Sequence, residues 1–285
     1  MQAIWSASQI QGGRDYQEDY FAVIENDSVF SMGEKKEIEP GLLAAHQSLY
    51  LLADGMGGMG HGDLAASTVI NVFIDSFLKN QQLSLDLVDI LHKSLLSASQ
   101  AITALVEEKK ELKGMGCTLI ALLWDSQLAT VQWVSVGDSL LGVMRDGQWQ
   151  ELNTKHIWRN VYHEKRLLGD LIDEQEAAEN GDALYSAVDG TDLTEVDMAT
   201  LAIQPNDVII VASDGLEVLS PADIQQILKE GLDNLDKNYT LDIAFHNIHS
   251  IRQQLFAGVS AQDNKYQDNT SAIVIGFYTG LSMDL

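Results

Sequence analysis

The chain has 285 residues, enough for one large core; 46% are apolar and only three are Pro, which excludes disordered, collagen-like and low-complexity classes. Its 42 acidic residues against 17 basic ones leave a formal net charge of -25, which opposes nucleic-acid or anionic-lipid partners and favours cations or basic polypeptide. A single cysteine, Cys117, excludes an intramolecular disulfide and paired-thiolate metal sites and fits a reducing, cytoplasmic compartment.

From the N-terminus, Met1 to Gln11 carries no basic segment followed by an apolar run, and no stretch reaches the roughly 20 apolar residues of a membrane span. Phe21 to Ile24 reads as the first strand, Ser31 to Gln47 as a polar insertion with Gly33, Pro40 and Gly41, and Ser48 to Ala53 as the next strand. Leu64 to Leu78, capped at Gly62-Asp63, and Leu85 to Leu112, apolar at threes and fours until Gly114, predict two amphipathic helices. Cys117 to Trp124, Thr130 to Val136 and Leu140 to Arg145 predict strands turning at Asp125-Ser126 and Gly137-Asp138. Asn153 to Gly190 has no clean period and reads as an excursion from the core. Beyond it come a strand at Val208 to Ala212, a helix opened by Ser220-Pro221, a helix at Leu241 to Leu255 and a strand at Ala272 to Tyr278.

Strands in hairpin-like runs favour antiparallel sheets over alternating strand and helix units. The expected fold is α+β: two mainly antiparallel sheets packed together and flanked by helices, a four-layer α-β-β-α sandwich. No repeat or linker divides the chain, so residues 1–285 are expected to form a single catalytic domain.

Four places share one local grammar, an apolar run meeting an Asp followed by Gly, Ser or Asn. They are Leu52-Ala53-Asp54-Gly55, Val136-Gly137-Asp138-Ser139, Ala212-Ser213-Asp214-Gly215 and Gln267-Asp268-Asn269; Glu18-Asp19 also precedes the strand that begins at Tyr20. Any one of them could be a simple turn, since Asp-Gly is a common turn dipeptide. Together they place carboxylates at several strand ends, where they can converge and repel one another unless cations neutralise them. Oxygen donors without cysteine select Mg2+, Mn2+ or Ca2+ over Zn2+. Three glycines within Asp54-Gly55-Met56-Gly57-Gly58 also imply a close approach of backbone to something.

In order, Arg14-x-x-Gln17-Glu18-Asp19, Asp54-Gly55-Met56-Gly57-Gly58, Gly116-Cys117-Thr118, Gly137-Asp138-Ser139, Ala212-Ser213-Asp214-Gly215 and Asp268-Asn269 resemble the PPM family of metal-dependent protein phosphatases, the type-2C serine/threonine phosphatases, in their bacterial branch. The match runs from about Gly12 to Ile275. The resemblance implies hydrolysis of phosphoserine and phosphothreonine monoesters on a phosphorylated protein substrate, by direct attack of a metal-bridging water. It implies Mn2+ or Mg2+, two ions in the core site or three in all. Asp54 would bridge two of them, with the Gly55 carbonyl, Asp214 and Asp268 completing their shells and Glu18 and Asp19 acting partly through bound water. Asp138 resembles the ligand of a third ion, Arg14 the guanidinium that grips the substrate phosphate, and Asn269 an orienting residue behind the ligands. Arg14, Asp54 and Asp214 are thus the expected catalytic residues, on a protein expected to be monomeric.

The sequence also departs from that pattern. Gln17 stands where the family usually has Asn, Leu140 where many members have Arg, and Met56 where some have a histidine that protonates the leaving group. Thr154-Lys155-His156 resembles the family's Thr-x-Asp-His segment with Lys155 at the acidic position, and residues 153–190 match its substrate-facing flap. In that flap Trp158, Tyr162 and His163 either touch a target or anchor the flap. Elsewhere Cys117 fits a small core residue, His61 an exposed loop histidine rather than a general acid, His246 and His249 packing or exposed residues, and Asp170 to Glu179 a solvated surface. The rival functions are a pseudophosphatase, a metal-stabilised partner-binding module and a metabolite phosphatase.

Overall fold

Successive side chains of the central strands go to opposite faces, and both sets are apolar, so each sheet must be covered on both sides. The structure, a computed structural model that describes residues 1–57, 61–81, 86–233 and 240–281, is built that way. One sheet has the order β1 (Gln2–Ile10), β14 (Thr270–Tyr278), β13 (Val208–Ala212), β10 (Leu140–Arg145), β11 (Gln148–Glu151). The other runs β12 (Asp197–Ala202), β9 (Thr130–Val136), β8 (Leu119–Asp125), β5 (Gln47–Ala53), β2 (Tyr20–Glu25), β3 (Ser28–Ser31), β4 (Glu34–Glu37). All their pairings are antiparallel, as they are in the small ribbon of β6 (Gly55–Met56) with β7 (Gly116–Cys117).

Phe21, Val23, Tyr50, Leu52, Ile120 and Leu122 face Val143, Ile209, Val211 and Ile273 across the space between the sheets. Their neighbours Ala22, Ile24, Leu49, Leu51, Ala121 and Leu123 face outward onto α1 (Gly62–Asn80) and α2 (Leu87–Glu108). On the opposite side Ile210, Ala212 and Val274 meet α5 (Pro221–Asp233) and α6 (Leu241–Ala261). The result is the expected four-layer α-β-β-α sandwich. Among the described residues no helix is long and apolar enough to cross a membrane.

Several local expectations change. The first helix begins at Gly62 with His61 as its N-cap residue, so Gly62-Asp63 are inside it rather than capping it. The second, expected from Leu85 (which lies outside the described residues) to Leu112, starts after Asp86, whose side chain accepts from the Val88 N–H at 2.9 Å, and ends at Glu108 before a short 3-10 turn at Lys110–Leu112. The polar insertion opens at the last residue of β3 and contains β4, which pairs back on β3 as an edge hairpin. The excursion at 153–190 contains two helices, α3 (Trp158–Leu168) and α4 (Glu174–Asn180). Ser220 does cap α5, exchanging bonds with Asp223 at 2.6 to 3.2 Å.

Antiparallel pairing explains how distant acids come together. Ala53, last of β5, pairs with Tyr20, first of β2, so Asp54 emerges beside Glu18-Asp19. Ala212, last of β13, pairs with Ala272 near the start of β14, so Ser213-Asp214 emerges beside Asp268-Asn269. Leu119 opposite Val136 brings Thr118 beside Gly137-Asp138 in the same manner.

Candidate active site

At this rim Arg14, Glu18, Asp54, Gly55, Met56, Gly57, Thr118, Asp138, Leu184, Asp214 and Asp268 line a cleft of about 350 Å³. Seven of the sequence-predicted site residues are therefore in one place: Arg14, Glu18, Asp54, Gly55, Asp138, Asp214 and Asp268. Asp19 and Asn269 are buried next to it rather than in its lining. His61 does not line the cleft, and Gly58, the last residue of the glycine-rich motif, lies outside the described residues.

Backbone fit explains the glycine at 55. A Cβ there would collide with the carbonyl oxygens of Glu18 and Gly62, so only glycine lets the Asp54 turn, the Glu18 loop and the α1 terminus close together. Glu18 Oε1 accepts from the Gly62 N–H at 3.1 Å, which places a carboxylate at the start of α1. Gln17, standing where the family usually has Asn, still bonds through its amide: its Oε1 accepts from the Asp19 N–H at 3.1 Å and its Nε2 donates to the Ile10 carbonyl at 3.3 Å. Asn269 fastens the same loop, donating from Nδ2 to the carbonyls of Gln11 (2.8 Å) and Tyr16 (3.0 Å) and accepting from the Glu18 N–H at 2.8 Å.

Electrostatic strain is concentrated in the acids. Burial foremost, then the charges of Asp19, Asp214, Asp138 and Asp268, hold the Asp54 carboxyl well above the usual carboxylate range. Burial pushes Asp19 up to about 6, even though the Ser213 hydroxyl donates to its Oδ2 at 2.8 Å. Asp214 also rises to about 6, through burial and then Asp138, Asp268 and Asp19, and burial raises Asp138. Arg14 is ion-paired with Asp268, and that bond is the main cause of its raised pKa.

Among the described residues no three His, Cys, Asp or Glu side chains converge tightly enough to grip one ion in the positions seen. Three of the acids have protein partners: Asp268 is paired with Arg14, Glu18 accepts from the Gly62 N–H and Asp19 from the Ser213 hydroxyl. The donor set nevertheless suits a hard divalent cation, because it is all oxygen and its members raise one another's pKa. Asp19 Oδ1 is moreover buried without a hydrogen-bond partner, a cost that a cation or its bound water would relieve.

Other expectations resolve plainly. Cys117 is fully buried and its thiol is pushed far up by burial, which makes it an inert core residue. His246 Nδ1 lies 2.7 Å from the Asp242 carbonyl and His249 stacks with Phe245, so neither is drawn into a metal pair. In the flap, Tyr162 is buried and packs on Trp158, which also meets Tyr185, whereas His163 is exposed. No residue of α4 is buried, in line with a solvated acidic surface. Sequence reasoning missed the part played by Thr118, quoted only within a motif, and by Ser213.

A layered sandwich with carboxylates from five strand ends gathered at one rim defines a class of oxygen-donor, cation-binding sites on an α+β scaffold. The chain belongs to the protein phosphatase 2C family, whose family model matches residues 42–250. It is similar to the serine/threonine phosphatase stp of Listeria innocua, with 27% identity over 64% of this chain and 72% of that protein. Its fold is similar to that of the serine/threonine phosphatase PstP/Ppp of Mycobacterium tuberculosis, with a TM-score of 0.69, 21% identity, and 97% and 99% of the two chains covered. The PstP catalytic domain in complex with two manganese ions is similar too, at a TM-score of 0.68 and 22% identity over 97% of this chain and 99% of that one.

Proposed function

We infer that the chain is a metal-dependent phosphoprotein phosphatase, hydrolysing phosphoserine and phosphothreonine monoesters with Mn2+ or Mg2+. The observation that carries this reading is the single cleft lined by Asp54, Asp138, Asp214, Asp268 and Glu18 together with one guanidinium, Arg14. The serine/threonine phosphatase named among its relatives and the manganese-bound PstP structure support it.

Asp54, Asp214, Asp268 and the Gly55 carbonyl would hold the two core ions, with Glu18 and Asp19 close by to receive their bound waters. Bound there, divalent ions supply the positive charge that activates water and stabilises an in-line displacement at phosphorus. Arg14 offers a planar fork to two phosphate oxygens, and its present partner Asp268 is an acid that a cation would otherwise engage. Asn269 keeps the loop that carries Arg14 and Glu18 in register with Asp268. An activated water makes a side-chain nucleophile unnecessary, and the buried Cys117 thiol is not in the cleft lining.

The whole chain serves as one catalytic unit, with residues 153–190 as a flap beside the cleft: Leu184 from it already forms part of the wall. A monomeric, cytoplasmic enzyme suits the single free thiol and the strong negative charge.

Phosphate release from a phosphothreonine peptide by chelator-stripped protein, titrated with Mn2+ and Mg2+, tests metal and reaction together. Turnover that appears with metal is expected, and Asp54→Asn should reduce it by at least about 100-fold, the order for losing a charge-stabilising group at a reacting centre. Metal binding with no turnover in the folded wild type would instead favour a pseudophosphatase.

A further inference from the structure

Asp138, the expected ligand of a third ion, has an unusual neighbour. The turn that carries it is clasped by the start of the flap: the His156 N–H donates to the Gly137 carbonyl at 2.9 Å, and the Gly137 N–H donates to His156 Nδ1 at 3.1 Å. That clasp sets Lys155, the residue before His156, against the turn that carries Asp138. The Lys155 side chain is only 14% exposed and is ion-paired with Glu217, on the 3-10 turn (Asp214–Val218) that begins at Asp214. Burial lowers the pKa of its ammonium, while the charges of Glu151, Asp138 and Asp214 favour the protonated form. An acid at this position, as the family resemblance implies, would add to the pull on a cation; a lysine reverses the sign.

We propose that the Lys155 ammonium takes the place of the third divalent ion at Asp138, so that the chain itself supplies the positive charge between the Asp138 and Asp214 turns. The proposal rests on the phosphatase reading for the two-ion core. A buried ammonium held by Glu217 repels a second cation from Asp138 while still offsetting the repulsion between Asp138 and Asp214. Lys155 is thus a positioning residue that lowers the number of ions the enzyme needs.

The test is the stoichiometry of Mn2+ binding to the metal-stripped full chain, followed by the electron paramagnetic resonance signal of free Mn2+ and by calorimetry. Wild type and Lys155→Arg are expected to bind two ions per chain, and Lys155→Gln to gain a third, weaker one. Asp138→Asn, in a chain that keeps Lys155, should leave the count at two, which tests the idea even if Lys155→Gln fails to fold. Three ions in the wild type, a count lowered by Asp138→Asn, or a folded Lys155→Gln that still binds two ions would each overturn the proposal. Two bound ions without phosphate release from a phosphothreonine peptide would sink the phosphatase reading and leave the Lys155 assignment standing. Three ions with turnover would do the reverse, and no bound Mn2+ at all would overturn both.

Discussion

Thr118 has its hydroxyl between two stretches of backbone that carry acids. It accepts from the Asp54 N–H at 3.0 Å and lies 2.7 Å from Ser139 Oγ, while its own N–H donates to the Asp54 carbonyl at 2.9 Å. One side chain therefore ties the Asp54 turn to the Asp138-Ser139 turn. Thr118→Val keeps the shape but leaves a buried donor and a buried hydroxyl without partners, and should cost about 1–3 kcal/mol in chemical denaturation. The two acids would also lose their common tether, so Mn2+ affinity should fall with stability. His156 makes a second residue-scale case. Its Nδ1 accepts from Gly137, so the folded state needs the neutral ring, and burial lowers its pKa below the usual 6.5. The unfolded chain binds that proton more readily, so this contribution is complete above pH 6.5 and is lost as pH falls through the depressed folded value. Denaturation midpoints measured between about pH 7.5 and 5 should fall less steeply in His156→Asn than in wild type, once the change common to both is subtracted.

At the scale of elements, legibility followed burial. β5, β8, β9, β10, β13 and β14 are wholly or nearly buried and gave apolar runs that could be read directly. β1, β3, β4, β11 and β12 are half-exposed or exposed and mixed or polar in sequence; β1, β4, β11 and β12 close the edges of the sheets, so their pairing comes from a neighbour and not from their own pattern. α3 and α4 escaped for a similar reason: α3 buries only Tyr162 and α4 buries nothing, so neither stands out by its apolar content. The acids were legible because each ends or precedes a readable strand. Lys155 and Thr118 were not, because their partners are set by the clasp at Gly137 and by strand register, both long-range. The flap helices should behave as a unit anchored through Trp158, Tyr162 and Tyr185. Trp158→Ala removes two aromatic pairs, each worth about 0.5–1.5 kcal/mol beyond its buried area. Limited proteolysis should then cut within 153–190 first, and KM for a phosphopeptide should rise several-fold while turnover of para-nitrophenyl phosphate holds. Unchanged proteolysis would show that the aromatic cluster does not anchor the flap.

Across the whole molecule, the cost of the site adds to a formal charge of -25 that already opposes compaction. Asp54 is the most strained member: burial and four neighbouring acids all resist its ionisation, so in the absence of divalent metal its charge destabilises the fold at neutral pH. Asp54→Asn should therefore melt higher than wild type in chelator, because it removes a charge and keeps the shape. Divalent metal must reverse that order. An ion that binds only the folded state at 100 times its Kd adds about 2.7 kcal/mol, which in a chain of this size raises Tm by roughly 5–10 °C. Mn2+ should give the wild type a shift of that size, sodium chloride at equal ionic strength much less, and Asp54→Asn only a small part of it. Melting curves of the two proteins with and without Mn2+ would then cross: the variant is the more stable in chelator and the less stable in metal. Parallel curves would mean that the repulsion at Asp54 is relieved by something other than a bound ion, and the acidic cleft would lose its physical reason for being a metal site.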